Sequence, residues 1–202
     1  MNQKPLKAKY IIIIAVVLLL IDQVSKILVK TNMTISQEIP VLGEWFNIYF
    51  IENSGAAYGM TIFSKLFLSL FRIGAVVALI WYLVRIYRRK APLGVILAIT
   101  ACTVGALGNI IDSTFYGMIF SESTTTQVAS FVPWGEGYSS LLHGDVVDML
   151  YFPIIEIDQM PQWIPFFGGK PYIFFSPIFN VADSYLTVAV IYMIIFQRKF
   201  FK

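Results

Sequence analysis

The sequence predicts an all-α membrane protein with four transmembrane helices and a small β-containing extracytoplasmic element. Three observations predict it. Of the 202 residues, 57% are hydrophobic and only 13% charged, where soluble domains carry roughly 25% charge. Apolar runs of the ~20 residues needed to cross a bilayer recur along the chain. The basic residues gather at the ends of those runs. Residues 1–202 read as a single integral membrane domain. The few basic residues form no nucleic-acid surface, so nucleic acid is excluded as a partner. The lone cysteine, Cys102, excludes an intrachain disulfide.

The first helix is expected over about 10–29. Its basic head, with Lys4, Lys7 and Lys9, and its apolar body resemble a secretory leader. The run is of spanning length and lacks a small-residue cleavage site, so a retained helix is expected. Asp22 and Lys26 fall near its far end at i,i+4 and share a face. Residues 31–64 read as an outer element: Pro40, Gly43, Gly55 and Gly59 punctuate it, and Trp45 to Ile51 is aromatic and β-branched enough for a strand. A second helix is expected over about 66–87, ended by basic residues and Pro92, and a third over about 93–111. Residues 114–177, rich in Ser, Thr, Gly and Pro, read as a membrane-adjacent loop region. The fourth helix is expected over about 178–196. Trp45, Trp134 and Trp163 lie outside the helices, as interface anchors do.

Charge sets the topology. The N-terminus, the loop after the second helix and the C-terminus hold ten of the fifteen Lys and Arg residues and none of the twelve acids. The positive-inside rule places both termini in the cytoplasm, with four crossings. Asp22, Asp112, Asp148 and Asp183 then converge on the outer leaflet. Carboxylates at membrane depth are costly and mark functional sites.

Five segments carry a resemblance. Asp22-Gln23-Val24-Ser25-Lys26, Asn53-Ser54-Gly55-Ala56-Ala57-Tyr58, Gly105-Ala106-Leu107-Gly108-Asn109-Ile110-Ile111-Asp112, Gly144-Asp145-Val146-Val147-Asp148 and Phe179-Asn180-Val181-Ala182-Asp183-Ser184 resemble, in order, the motifs of lipoprotein signal peptidase (signal peptidase II). The resemblance covers most of the chain apart from about 115–142 and 155–175. It implies a bacterial inner-membrane aspartyl endopeptidase, multi-pass, with its active site toward the outer face. Such an enzyme removes signal peptides from diacylglyceryl-modified prolipoproteins by cleaving before the lipidated cysteine. The implied partners are those prolipoproteins, membrane lipid and globomycin-type inhibitors; no cofactor or metal is implied.

The resemblance makes Asp148 and Asp183 the catalytic pair. Two neighbouring carboxylates share a proton, so one can accept a proton from water while the other polarises a carbonyl. The plain alternatives are a helix cap for Asp183 and a solvated loop carboxylate for Asp148. Asn53, Asn109 and Asn180 are expected to bind substrate backbone or orient the pair, with loop hydrogen bonding as the alternative. Gly55, Ala56 and Ala182 supply small residues beside the site. Asp112 is expected to orient its neighbours, and Asp22 and Lys26 to be structural or to face lipid head groups.

Two features depart from the family pattern. The family usually carries an arginine directly after the third-motif aspartate; here that residue is Ser113. An extra segment, Ser113 to His143, separates the third and fourth motifs. His143, Asp145 and Asp148 have the composition of a cation site, but one histidine on a loop is weak support. Cys102 sits mid-helix without a base and reads as packing. A proton- or cation-coupled transporter would use the same acids, though nearer the midplane. A simple membrane anchor would need none of them.

Overall fold

A computed structural model describes residues 7–55 and 62–197. Helix α1 (Ala8–Lys30) leads into strands β1 (Glu38–Leu42) and β2 (Phe46–Asn53). Helices α2 (Ile62–Arg88) and α3 (Leu93–Ile111) follow. From α3 the chain continues through a π-helical turn (Asp112–Tyr116) into the single turn α4 (Gly117–Ile119). Strands β3 (Val146–Tyr151), β4 (Ile155–Ile157), β5 (Tyr172–Phe174) and β6 (Ile178–Phe179) precede helix α5 (Val181–Phe196).

The all-α expectation needs correction. A four-stranded sheet runs in the order β1-β2-β3-β6, with every neighbouring pair antiparallel, and β4 and β5 form a separate hairpin. Strand β3 falls where the sequence reads as loop. It is buried along nearly its whole length, so it shows none of the polar alternation that reveals a half-exposed strand. The last helix begins at Val181 instead of 178, because Ile178 and Phe179 pair with Tyr151 and Leu150 as β6.

Among the described residues three helices are long and apolar enough to span a membrane: α1, Lys65–Arg88 of α2, and α3 with its continuation to Ile119. Helix α5 is apolar too, but its 16 residues are shorter than the others. Helix α3 is the centre of the bundle: 61% of its most apolar window is buried, against 17% for α1 and 11% for α2. The outward faces of α1, α2 and α5 expose Val16, Leu20, Phe67, Phe71, Ile191 and Ile195. In water such faces would be unfavourable; against lipid they are matched.

Small residues on α3 decide how close α5 comes. A methyl group added at Gly105 would collide with the carbonyl of Ala182, and one at Gly108 with the carboxylate of Asp22. The two glycines, three apart on one face, let the backbone of α5 lie directly on α3. A second core lies beyond the end of the helices. There Met33, Phe50, Tyr116, Phe120, Val147 and Met149 pack between the sheet and the extra segment. That segment is therefore folded onto the body of the protein: Phe120 bridges to Phe131, and the Ile35 N–H donates to the Thr124 carbonyl at 2.9 Å.

The glycine packing is testable. Gly105→Ala is expected to lower Tm in detergent, while Gly74→Ala, where an added methyl meets nothing within 4 Å, is expected to leave Tm unchanged or raise it, through a gain in helix propensity of up to about 1 kcal/mol. Equal behaviour of the two variants would disprove the close α3–α5 approach.

Candidate active site

Asp148 stands on β3, not on a loop. It lies opposite Ile51, and Asn53 lies opposite Val146. Side chains two apart on a strand share a face, so Asn53 and Asp148 meet diagonally across the β2–β3 pair, and Asn53 Nδ2 donates to Asp148 Oδ2 at 3.1 Å. The opposite face of β3 carries Val147 and Met149 into the second core, which fixes which way Asp148 points. The register is anchored by Gly144, whose N–H donates to the Ser113 carbonyl at 2.9 Å.

Asp183 occupies the first turn of α5. Asn180 caps that helix: its side-chain oxygen accepts from the Asp183 N–H at 2.9 Å, one of the helix donors that otherwise lack partners. The same residue reaches Asp148, with Nδ2 donating to Asp148 Oδ1 at 2.7 Å and to Asn109 Oδ1 at 3.0 Å. Asn109, on α3, donates in turn to Asp183 Oδ1 at 2.8 Å. The two aspartates are thus joined through two asparagine amides, one from α3 and one from the start of α5. Asn180 is fully buried, Asp148 is 2% exposed, and Asp183 is half-buried.

Beneath this layer lies a charged one. Lys26 Nζ contacts Asp22 Oδ2 at 3.1 Å, Asp112 Oδ2 at 2.8 Å and Asn109 Oδ1 at 2.8 Å. All three charged side chains are wholly buried, so neither Asp22 nor Lys26 faces outward toward lipid head groups. Gln23 donates to Asp22 and Asp112, each at 3.0 Å. Asp22 Oδ1 accepts from the Ala182 N–H at 2.9 Å, and Asp112 Oδ2 from the Val147 N–H at 3.4 Å. One ionic cluster therefore touches α1, α3, α5 and β3.

Gly55 adopts a left-handed conformation (φ 67°), which favours glycine, and its N–H donates to Asn53 Oδ1 at 2.9 Å. Ala56, Ala57 and Tyr58 lie outside the described residues. His143 and Asp145 do not join Asp148. Asp145 pairs with Lys65 at 2.6 Å, and His143 Nδ1 lies 3.0 Å from Ser140 Oγ. Among the described residues no three His, Cys, Asp or Glu side chains are grouped so that they could hold a metal ion.

Burial pushes the Asp148 carboxyl from 3.8 up to about 6; the charge of Asp183 adds to the rise, while hydrogen bonds from Asn53 and Asn180 oppose it. A buried carboxyl, poised near neutrality and coupled to a second carboxylate, is a pattern found at acid–base sites.

The comparisons with known proteins agree with this architecture. Residues 14–199 match the family model of signal peptidase (SPase) II. The chain belongs to the signal peptidase II family. As a family member it is a protease. It is 45% identical over 190 residues to the lipoprotein signal peptidases of two Porphyromonas gingivalis strains, covering 94% of this chain and 83% of each relative. It is 30% identical to that of Amoebophilus asiaticus, over 92% of this chain and 76% of the relative. Two solved structures share the fold, both described as bacterial membrane enzymes determined by the in meso method. The one at 1.9 Å resolution has a TM-score of 0.66 and 29% identity, covering 98% of this chain and 99% of its own. The one at 2.3 Å has a TM-score of 0.64 and 28% identity, covering 98% and 93%.

Sequence reasoning missed four polar residues of this family member. Lys30 is fully buried and pairs with Glu52, and Ser123 Oγ lies 3.0 Å from Lys30 and 2.8 Å from Glu52. Arg72 on α2 donates to Ser113 Oγ at 3.0 Å. Arg72 left a signal that went unused: it is a cation well inside an apolar span, and such residues turn toward the bundle interior. Lys30 and Glu52 left none, because both sit where an exposed helix end and a strand were expected.

Two stability predictions follow from the burial. Lys26→Met strands two buried acids and is expected to cost about 3–5 kcal/mol, read by thermal unfolding; a loss below ~1 kcal/mol would mean the cluster is hydrated. The raised Asp148 carboxyl binds its proton more tightly folded than unfolded. Its contribution is complete below 3.8 and is lost as pH rises through about 6, on the order of 3 kcal/mol in all. Asp148→Asn lacks that loss, so its Tm should gain on the wild type between about pH 4 and pH 7. Parallel Tm–pH curves would contradict the raised value.

Proposed function

We propose that Asp148 and Asp183 are the catalytic dyad of an aspartyl endopeptidase that removes the signal peptide from diacylglyceryl-modified prolipoproteins, cleaving before the lipidated cysteine in lipoprotein maturation. The observation that carries this reading is the amide bridge: Asn109 and Asn180 hold both carboxylates in one hydrogen-bonded chain. Kinship with lipoprotein signal peptidases supplies the substrate class.

The chemistry follows from one shared proton. With one carboxylate ionised and the other protonated, the ionised member takes a proton from a water molecule, whose oxygen attacks the scissile carbonyl. The protonated member donates to the carbonyl oxygen as it becomes tetrahedral. Collapse breaks the C–N bond, and the proton taken from water passes to the leaving amine, here that of the lipidated cysteine. The titration belongs to the pair, so the two roles are not assigned to fixed residues. Asn53 at the end of β2, Gly55 just after it and Ala182 at the head of α5 line the peptide's path, and Ala56 is assigned to substrate binding on the family motif alone. Asn109 and Asn180 orient the dyad; Asp112, with Asp22 and Lys26, supports them from below. Globomycin-type inhibitors would occupy the same path.

The membrane setting follows from the same argument. The apolar helices and the family kinship support a setting in the bacterial inner membrane, and the distribution of basic residues supports both termini in the cytoplasm with the dyad toward the outer face. The diacylglyceryl chains then stay in lipid while the peptide enters between helices and sheet. The exposed aromatic residues Trp45, Trp134, Trp163 and Phe166 suit the interface at that level.

The test uses purified protein in detergent, EDTA and a diacylglyceryl-modified prolipoprotein, with cleavage read by gel shift and product mass. Wild type is expected to cleave before the modified cysteine and to stop with globomycin. Asp148→Asn and Asp183→Asn are expected to fall by at least ~100-fold while staying folded. Near-normal cleavage by either variant refutes the dyad, and an inert wild type shifts attention to transport assays in vesicles.

A further inference from the structure

The family arginine that should follow Asp112 is missing, and Ser113 stands in its place. We propose that Arg72, delivered from a different helix and held by Ser113, is the guanidinium that grips the backbone carbonyls of the bound peptide beside the dyad. The assignment rests on the reading that Asp148 and Asp183 cleave a bound peptide.

The direction of Arg72 is fixed by its own helix face. Lys65, Ser69 and Arg72 lie at i, i+4 and i+7 on α2, hence on one side of it. All three reach the segment that follows α3. Lys65 pairs with Asp145 at 2.6 Å and donates to the His143 carbonyl at 3.2 Å. Ser69 Oγ donates to the Leu142 carbonyl at 2.8 Å. Arg72 Nη1 donates to Ser113 Oγ at 3.0 Å, and Ser113 Oγ donates onward to the Asn109 carbonyl at 2.9 Å. The hydroxyl thus accepts from the guanidinium while its own proton is committed to α3. The contact is one-way, as a positioning contact requires.

Held at Nη1, the guanidinium turns its other edge toward the site. Nη2 lies 3.5 Å from where a side-chain carbon on Gly55 would be, next to the end of β2 that carries Asn53. Asp183, Asp112 and Asp148 are all within electrostatic reach of it. Yet among the described residues no carboxylate lies within ion-pair distance of Arg72: Asp22 and Asp112 are paired with Lys26, Asp145 with Lys65, and Glu52 with Lys30. An arginine set near acids but clasped by none of them retains donors for a third party. A phosphate there would be repelled by three carboxylates; a neutral peptide carbonyl would not, and it suits the fork of N–H donors that distinguishes arginine from lysine.

Binding and cleavage separate this proposal from the one it rests on. Affinity for a diacylglyceryl-modified prolipoprotein is measured in nanodiscs on the non-cleaving Asp148→Asn background, and cleavage by the wild type is followed in parallel. Arg72→Met is expected to weaken binding about tenfold or more, as loss of charge-assisted hydrogen bonds does. Arg72→Lys is expected to weaken it by at least ~3-fold, because the charge is kept and the fork lost. The double variant Arg72→Met, Ser113→Arg, which returns the arginine to the family position, is expected to recover most of the affinity. Unchanged binding in Arg72→Met, full function in Arg72→Lys, or no recovery in the double variant each overturns the proposal; the lysine result would reduce Arg72 to charge balance. If Arg72→Met does not fold, by loss of its unfolding transition, Arg72→Lys alone decides: wild-type affinity overturns the proposal and weakened affinity upholds it. An inert wild type counts against the dyad, and the binding series still reports on Arg72.

Discussion

The buried ammonium of Lys26 is the interaction on which the rest of the site depends. Removing one cation and two carboxylates from water is expensive, and Coulomb attraction alone does not guarantee a return. The cluster survives because its remaining acceptor positions are filled. Gln23 donates to both acids, and Asp22 and Asp112 each accept a backbone N–H, one from the head of α5 and one from β3. The head of a helix also carries partial positive charge, which helps offset the second carboxylate. The consequence is specificity of position. Only one placement of α5 and β3 satisfies Asp22 and Asp112, and those are the two elements that carry Asp183 and Asp148.

Lys26 also sets the polarity of everything above it. An ammonium donates and never accepts, so Asn109 must present its oxygen to Lys26 and hence its amino group to Asp183. With that oxygen also accepting from Asn180, Asn180 must turn its amino group toward Asn109 and Asp148 and its oxygen toward the Asp183 N–H. Each asparagine is locked in one of its two flips by a donor that cannot reverse. Asp148 faces amide donors from Asn53 and Asn180, which favour its ionised form, while burial and the charge of Asp183 favour its protonation. The opposition of those effects is the balance the proposed one-proton dyad requires.

Much of this was legible in the sequence. The charges at membrane depth announced themselves, since four acids near the ends of apolar runs are costly enough to need a reason. Helices were legible from apolar length, and α3 was placed to the residue. The sheet was legible only in β2, read as a strand over Trp45 to Ile51; the rest was not, because β3 is buried on both faces and β6 spans only Ile178–Phe179, too short for any pattern. The Asp22–Lys26 pairing was visible as i,i+4 spacing, but its depth was not: spacing reports a shared helix face and says nothing of what covers it. Arg72 was the missed inference, a lone cation read as part of an apolar run.

Lys30 extends the logic one turn along α1. Four residues after Lys26, it lies on the same face and is as deeply buried, with Glu52 and Ser123 as polar partners and the rings of Phe120 and Tyr138 at 5.4 and 4.8 Å. Glu52 immediately precedes Asn53 on β2. On a strand the two side chains point to opposite faces, so anchoring Glu52 beneath the sheet aims Asn53 above it, toward Asp148. The partners of Lys30 include Ser123 and Tyr138, which belong to the segment between the third and fourth motifs. That segment thus closes a buried ionic site that steadies one side of the proposed dyad, in the way Lys26 steadies the other. Two lysines on one helix face each fix the asparagine that serves one aspartate: Lys26 through Asn109 to Asp183, and Lys30 through the strand that ends in Asn53 to Asp148. Helix α1 contributes no group to the proposed dyad, yet it sets the geometry of both halves.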